Sequence, residues 1–299
     1  QRDVVIDMYC YRRLGHNESD EPRFTQPIMY KTIDSRATIR ESYLDHLTKL
    51  GEVTREEGDA IAEQRESQLQ KEFDAAKSRS YESDTQTLGG YWTAYYGGPE
   101  RPDDEVDTGV ATGQLTYTLS KLTEFPADFL LNRKLKRVFE LRKLMAEGSR
   151  TIDWASAELA AFATLAVEGH PIRMTGQDCE RGTFSQRHAV LHDSETGQVY
   201  APIHHLSEDQ AKVTICNSPL SETGVMGFEY GYSLDRPESL VIWEAQFGDF
   251  YNVAQVIVDQ FITSAEDKWG RLSGMVMLLP HGFEGAGPEH CSARVERFL

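Results

Sequence analysis

From residue 152 onward the chain alternates apolar helical stretches with short apolar runs, and each run ends in a long polar loop. Asp153 stands as an N-cap before a mostly apolar helix that reaches Glu168 and is stopped by Gly169. Strand-like runs follow at 171–175, 239–243 and 275–280, with helices expected at about 222–234 and 252–265. This alternation predicts an α/β fold, a parallel sheet flanked by helices on both faces. In such folds the loops leaving the strands carry the site, and here they are 176–198, 244–250 and 281–292.

The first half is organised differently. Residues 3–8 read as a short buried strand, followed by a polar loop over 11–22 that is too rich in breakers for a helix. Helices are expected at 36–50, ended by Gly51, and at 55–78, where Thr54 and Glu57 form a capping box. Ile61, Leu69 and Phe73 give the longer helix one apolar stripe, expected to lie across a body of protein. Residues 79–127 read as an irregular connector with Tyr91, Trp92 and Tyr95 as anchors, joining two domains or wrapping one. A charged helix is expected at 128–147, with Leu131, Leu135, Val138 and Leu141/Leu144 on one side and Gly148 as its stop.

Charge narrows the partners. Lys+Arg is 31 against Asp+Glu 48, a net charge of −17 among 299 residues. Such a field repels phosphate polymers and anionic bilayers, so no nucleic-acid or membrane partner is expected. No apolar stretch approaches the roughly 20 residues of a membrane-spanning helix. Arg12–Arg13 and Arg181–Arg187 remain candidates for binding a small anion. Cys10, Cys179, Cys216 and Cys291 form no CxxC pair and read as free thiols in a reducing compartment. The opening at Gln1, directly before Val4-Val5-Ile6, reads as a chain entered in mid-domain.

Standard catalytic patterns are missing: there is no GxSxG, HExxH or GxxxxGK[ST], and the nine histidines never take a zinc-like spacing. Pro288 interrupts the dinucleotide-like start Gly285-Ala286-Gly287. What stands out is polar chemistry in strand-end loops. Asp178, Glu180 and Arg181 are followed by Arg187, His188 and His192; Glu222 opens an expected helix; residues 243–250 alternate aromatic and acidic side chains. His281 and His290 share the last loop. Each alone is commonly structural, but together at one sheet edge they predict an active site, without naming its reaction.

Long motifs in one order carry a resemblance. They are residues 11–22 with Thr25-Gln26-Pro27, Gly176-Gln177-Asp178 through Arg181-Gly182-Thr183-Phe184, and Arg187-His188-Ala189-Val190. Leu220-Ser221-Glu222 with 228–232, then 243–250, and 279–282 through 287–290 complete them. On these the chain closely resembles the thiamine diphosphate-dependent E1 component of the 2-oxoglutarate dehydrogenase complex, over essentially all its length. The resemblance implies the thiamine diphosphate-binding fold of the transketolase-like superfamily. It also implies a homodimer that holds the cofactor between a diphosphate-binding domain and the partner's pyrimidine-binding domain. Residues 1–30 would close the first of these domains, 31–149 form the connector, and 150–299 make most of the second. The Mg2+ motif and the histidines that recognise the distal carboxylate of 2-oxoglutarate would precede Gln1, and another domain would follow Leu299. An internal fragment of this kind is expected to be inactive alone.

The same resemblance implies roles. Glu222 matches the glutamate that bonds the cofactor's pyrimidine nitrogen, and Phe250 the aromatic that stacks on the ring, with Phe247 as second choice. His16 matches a donor to the diphosphate, and His290 the histidine near the thiazolium C2, with His281 a further catalytic candidate. The implied activity is oxidative decarboxylation of 2-oxoglutarate with succinyl transfer to the lipoyl domain of an E2 dihydrolipoyl succinyltransferase. That activity belongs in the bacterial cytoplasm or the mitochondrial matrix. A 2-oxoadipate dehydrogenase E1, and a catalytically silent dimerisation or E2-docking fragment, are the alternatives.

Overall fold

The computed structural model describes residues 4–78, 89–99, 101, 106–282 and 286–298, and the chain divides into two compact units, Gln1–Asp84 and Thr85–Leu299.

In the first unit a polar loop leads into α1 (Pro27–Ser35), α2 (Ile39–Leu50) and α3 (Arg55–Ala76). Thr38 caps α2, and Gly51 ends it in the left-handed region at φ 75°. Thr54 and Glu57 close the expected capping box on α3, each satisfying the other's backbone N–H. Arg40 and Arg55 reach Glu41, Asp45 and Asp59 and tie α2 to α3. Ile61, Leu69 and Phe73 are 60%, 69% and 53% exposed, so the apolar stripe of α3 stays open.

The expected strand at 3–8 does not form. Asp3 lies outside the described residues, while Val4, Val5, Ile6 and Met8 are irregular and 81%, 91%, 87% and 77% exposed. A strand needs a neighbour for its N–H and C=O groups, and the described residues of this unit contain no other strand.

In the second unit the supposed connector holds a helix, α4 (Thr112–Lys121), packed with α5 (Arg133–Ala146) and α6 (Trp154–Val167). Threonines and a serine obscure its period, yet Leu115 and Leu119 at i, i+4 meet Ala146 and Ala160. Trp92 acts as the expected anchor: its Nε1–H donates to the Leu234 carbonyl at 2.6 Å. Within that stretch, residues 79–88, 100 and 102–105 lie outside the described residues. Helix α5 begins later than 128, under an Asn132 cap, and buries Phe139, Arg142 and Met145 while Leu144 is exposed.

The strands are β1 (Ile172–Gly176), a hairpin of β2 (Leu191–His192) and β3 (Val199–Tyr200), then β4 (Val213–Asn217), β5 (Leu240–Glu244) and β6 (Val276–Leu278). Helix α7 (Glu222–Asp235) separates β4 from β5. Between β5 and β6 a helical run starts as a 3-10 helix at Gly248–Ala254. It continues through α8 (Gln255–Ile257) and a π turn at Val258–Ile262, and α9 (Ala265–Trp269) follows. The sheet order β4-β1-β5-β6 is parallel throughout, as the alternation predicts.

Both faces are covered. Leu159, Phe162, Ala163 and Ala166 of α6 pack on Ile172, Met174, Ile215 and Ile242. Val225 and Met226 of α7, with Tyr251, Ala254 and Val258, pack on Trp243 from the other side. Each such large side chain contributes about 1.5–3 kcal/mol when buried. The pairing register sets Gly176 level with Asn217 and Glu244, and Glu244 level with Leu278. All four strands therefore end at one edge, where β1 has later strands on both sides, the switch point at which open parallel sheets take ligands. Gly176 permits that closeness: a Cβ there would lie 2.5 Å from the Glu244 carbonyl oxygen.

Candidate active site

The sheet edge is built by locking its loops together in two pairs, those after β1 and β4 and those after β5 and β6. Ser218 N–H donates to the Gly176 carbonyl at 2.7 Å, and Glu180 and Asn217 exchange backbone-to-side-chain bonds at 3.1 and 3.3 Å. Gly248 N–H donates to the Pro280 carbonyl at 2.9 Å, which joins the loops after β5 and β6. A side chain at Gly248 would strike that carbonyl and Ala293.

Beneath the edge lies a charge cluster. Arg187, 1% exposed, donates to Glu244 at 2.6 and 2.7 Å, to Glu158 at 2.6 and 3.1 Å, and to the Cys179 carbonyl at 2.9 Å. Burial opposes its charge, but the two carboxylates outweigh burial and hold the guanidinium protonated. Burial pushes the Glu244 carboxyl above the usual range while Arg187 pulls it back. The backbone carbonyls of Gln186 and Arg187 in turn accept from buried Arg142, at 3.1 and 2.6 Å.

The second expected anion site, at Arg181 and Arg187, is neutralised by carboxylates, whereas Arg12 and Arg13 stay exposed and have no carboxylate partner among the described residues. Arg187 is consumed by Glu158 and Glu244, and Arg181 is paired with Asp178. Arg12 points to His16. The thiol of Cys179 is pushed up to about 12 by burial, which makes it inert.

Glu222 is the first residue of α7, behind the Ser221 cap, and is half-buried. Gln177 Nε2 donates to its Oε1 at 3.0 Å, and among the described residues Oε2 has no partner. Thr223 Oγ1 donates to the Val253 carbonyl at 2.7 Å, so the start of α7 is stitched to the 3-10 helix that contains Phe250. Phe247 lies 5.5 Å from Phe250, edge to face, and 5.8 Å from Phe184 of the β1 loop. His290 sits against both Phe247 and Phe250, with centroids 4.5 and 5.4 Å apart. Its Nδ1 meets Glu289 at 3.1 Å.

His281 is placed differently, with its Nδ1 accepting the Ala293 N–H at 2.9 Å. Phe283, Glu284 and Gly285 of that loop lie outside the described residues. His188 is buried with φ 48°, and its Nε2 reaches the Ser185 carbonyl at 2.8 Å; burial lowers its proton affinity. His192 is exposed on the hairpin. In the first unit, exposed His16 takes a bond from Arg12 Nη1 at Nδ1, 2.8 Å, and its backbone N–H donates to Asp20 at 3.0 Å.

Thus Phe247, Phe250 and His290 come together, and Thr223 holds the helix that starts at Glu222 to the same edge. Sequence reasoning gave no role to Phe184 or Gln177, although both stand in the loop it singled out. Ring contacts and an amide's single bond leave no periodic signal. Among the described residues no group of three or more His, Cys, Asp or Glu side chains could hold a metal ion, and no helix is long and apolar enough to cross a membrane.

A family model described as dehydrogenase E1 component matches residues 1–84. The 2-oxoglutarate dehydrogenase E1 components of Brucella ovis and Brucella abortus are 50% identical to this chain over 304 residues, and that of Rickettsia felis is 50% identical over 298. Each match covers 100% of this chain, and the chain spans 30% of the length of these relatives. The model for the transketolase pyrimidine-binding domain matches residues 150–299, which contain the whole parallel sheet and the edge cluster. By that match over half its length, the chain belongs to the transketolase pyrimidine-binding domain family.

Proposed function

We propose that this chain contributes the pyrimidine half of a thiamine diphosphate site in the E1 subunit of a 2-oxoglutarate dehydrogenase complex. The observation that carries the reading is Glu222: a half-buried carboxylate at the sheet edge, one oxygen held by Gln177 and the other unengaged. The donor set fits an aminopyrimidine. A planar, weakly polar ring needs aromatic walls and one carboxyl group at its nitrogen, and Phe247, Phe250 and Glu222 supply both. The names and 50% identity of the Brucella and Rickettsia relatives support the substrate.

When bound, thiamine diphosphate supplies the carbon nucleophile and the electron sink for decarboxylation of a 2-keto acid. With the cofactor bound, Glu222 would hold the pyrimidine nitrogen and exchange its proton, through the oxygen that Gln177 leaves open. Phe250 stacks on the ring, and Phe247 packs behind it. His290 moves protons beside the reacting carbon, while His281 offers only Nε2, its Nδ1 being committed to Ala293. His16 would bind the diphosphate through Nε2, since Arg12 engages its Nδ1, and a bond to that anion would be charge-assisted. Mg2+ belongs to the proposed site and is assigned to no residue here. The proposal includes a homodimer, transfer of the succinyl group to the E2 lipoyl domain, and a cytoplasmic location in a bacterium. It divides the chain into 1–30, 31–149 and 150–299.

Turnover by the complete protein with thiamine diphosphate and Mg2+, in the presence of an artificial electron acceptor, tests this. Decarboxylation of 2-oxoglutarate is expected to exceed that of 2-oxoadipate by about 10–200-fold in kcat/KM, the effect of one methylene in a fitted pocket. Preference for 2-oxoadipate, or no decarboxylation of either acid, would contradict the proposal.

A further inference from the structure

We infer that Gln177 is a positioning residue: its side-chain amide sets the carboxylate of Glu222 so that one oxygen is left open. The inference rests on the proposed role of Glu222 and deepens it.

Gln177 is the first residue beyond β1, directly after Gly176, whose backbone is fixed by Ser218 and by the close passage of Glu244. Its Nε2–H to Glu222 Oε1 bond, 3.0 Å long, joins the β1 loop to the first turn of α7. The Ser221 cap and the Thr223–Val253 bond fix the backbone of that turn, but they leave the side-chain torsions of Glu222 open. Among the described residues the Gln177 amide is the one group that restrains them. A free glutamate loses rotamer entropy when it is ordered, and a prior hydrogen bond removes part of that cost from the binding step.

The chemical character of the partner matters as much as its position. An amide is neutral, so it orients the carboxylate of Glu222 without bringing a second formal charge to the site. The arginines of this region are withheld from Glu222. Arg173 is spent on Glu229 at 2.7 and 2.9 Å, Arg181 on Asp178, and Arg187 on Glu158 and Glu244. A carboxylate that must give and take a proton is thereby left beside a donor that cannot compete for it. Gln177 is itself exposed, so its bond adds little to the stability of the fold, and its loss should be felt in the site alone.

A double-mutant cycle of Gln177→Ala and Glu222→Ala in the complete protein tests this. It is read by apoprotein melting, by thiamine diphosphate affinity from fluorescence quenching in Mg2+, and by hydrogen–deuterium exchange at C2 of the bound cofactor. Gln177→Ala is expected to melt like the parent and to lose about 3–10-fold in affinity, the worth of one neutral hydrogen bond, with slower exchange. In the Glu222→Ala background the same change should have no further effect, because the group it orients is gone. Equal losses in both backgrounds, or parent-like affinity and exchange in Gln177→Ala beside a crippled Glu222→Ala, would overturn the role of Gln177 alone. A parent-like Glu222→Ala would instead overturn the reading on which it rests.

Discussion

The neutral ring of His281 can keep its proton only on Nε2, because Ala293 N–H occupies Nδ1. His290 has no such backbone obligation: it lies against Phe247 and Phe250 with Glu289 at its Nδ1. Of the two histidines, His281 therefore has one ring nitrogen committed to the backbone, while the ring of His290 meets only side chains. His290→Ala should leave cofactor affinity close to the parent's and lower turnover by about 10²–10⁴-fold, the range for a positioned acid–base group. Steady-state kinetics beside an affinity measurement checks this, and a variant turning over at the parent rate would contradict it. The positions of these residues were legible in the sequence, since strand-end loops concentrate polar groups for a reason. The allotment of Nδ1 to Ala293 was not, because it depends on a backbone approach between residues twelve apart.

Arg187 shows the same limit at the scale of elements. In the sequence it is one more arginine in a polar loop; in the fold it joins α6, the β1 loop and the end of β5 through Glu158, the Cys179 carbonyl and Glu244. Replacing it by Met strands two carboxylates, one of them buried, and should cost about 3–5 kcal/mol. Urea unfolding of the chain measures this, and a loss below about 1 kcal/mol would show that the clamp is not structural. Elements with strong local signals were legible: the capping box of α3, the Asp153 cap of α6 and the Gly51 stop of α2. Helix α4 was missed because hydroxyl side chains obscure its period, and β4 because its alternation, Val213 and Ile215 inward, spans only five residues. The supposed strand at 3–8 shows the opposite error, since β-branched residues make a strand only beside another strand.

Across the whole chain, alternation of helix and strand was enough to foresee the parallel sheet and the edge at which its polar loops gather. Alternation does not specify a reaction. That step came from motif resemblance, and the 50% identity to 2-oxoglutarate dehydrogenase E1 components over the full chain agrees with it. The net charge of −17 sets the rest: small anions must be met by local donors, while most arginines of the sheet edge are already neutralised by their own carboxylates.

The central claim is that Glu222 exchanges a proton with the cofactor's pyrimidine. As a helix-start carboxylate alone it would be worth about 0.3–1 kcal/mol. Glu222→Gln keeps its size and hydrogen-bonding reach but cannot exchange that proton. Hydrogen–deuterium exchange at C2 of bound thiamine diphosphate in the complete protein isolates this step from lipoyl transfer and product release. Near-parent melting of the apoprotein and a large fall in the C2 exchange rate are expected. Exchange at the parent rate in the Gln variant would contradict it.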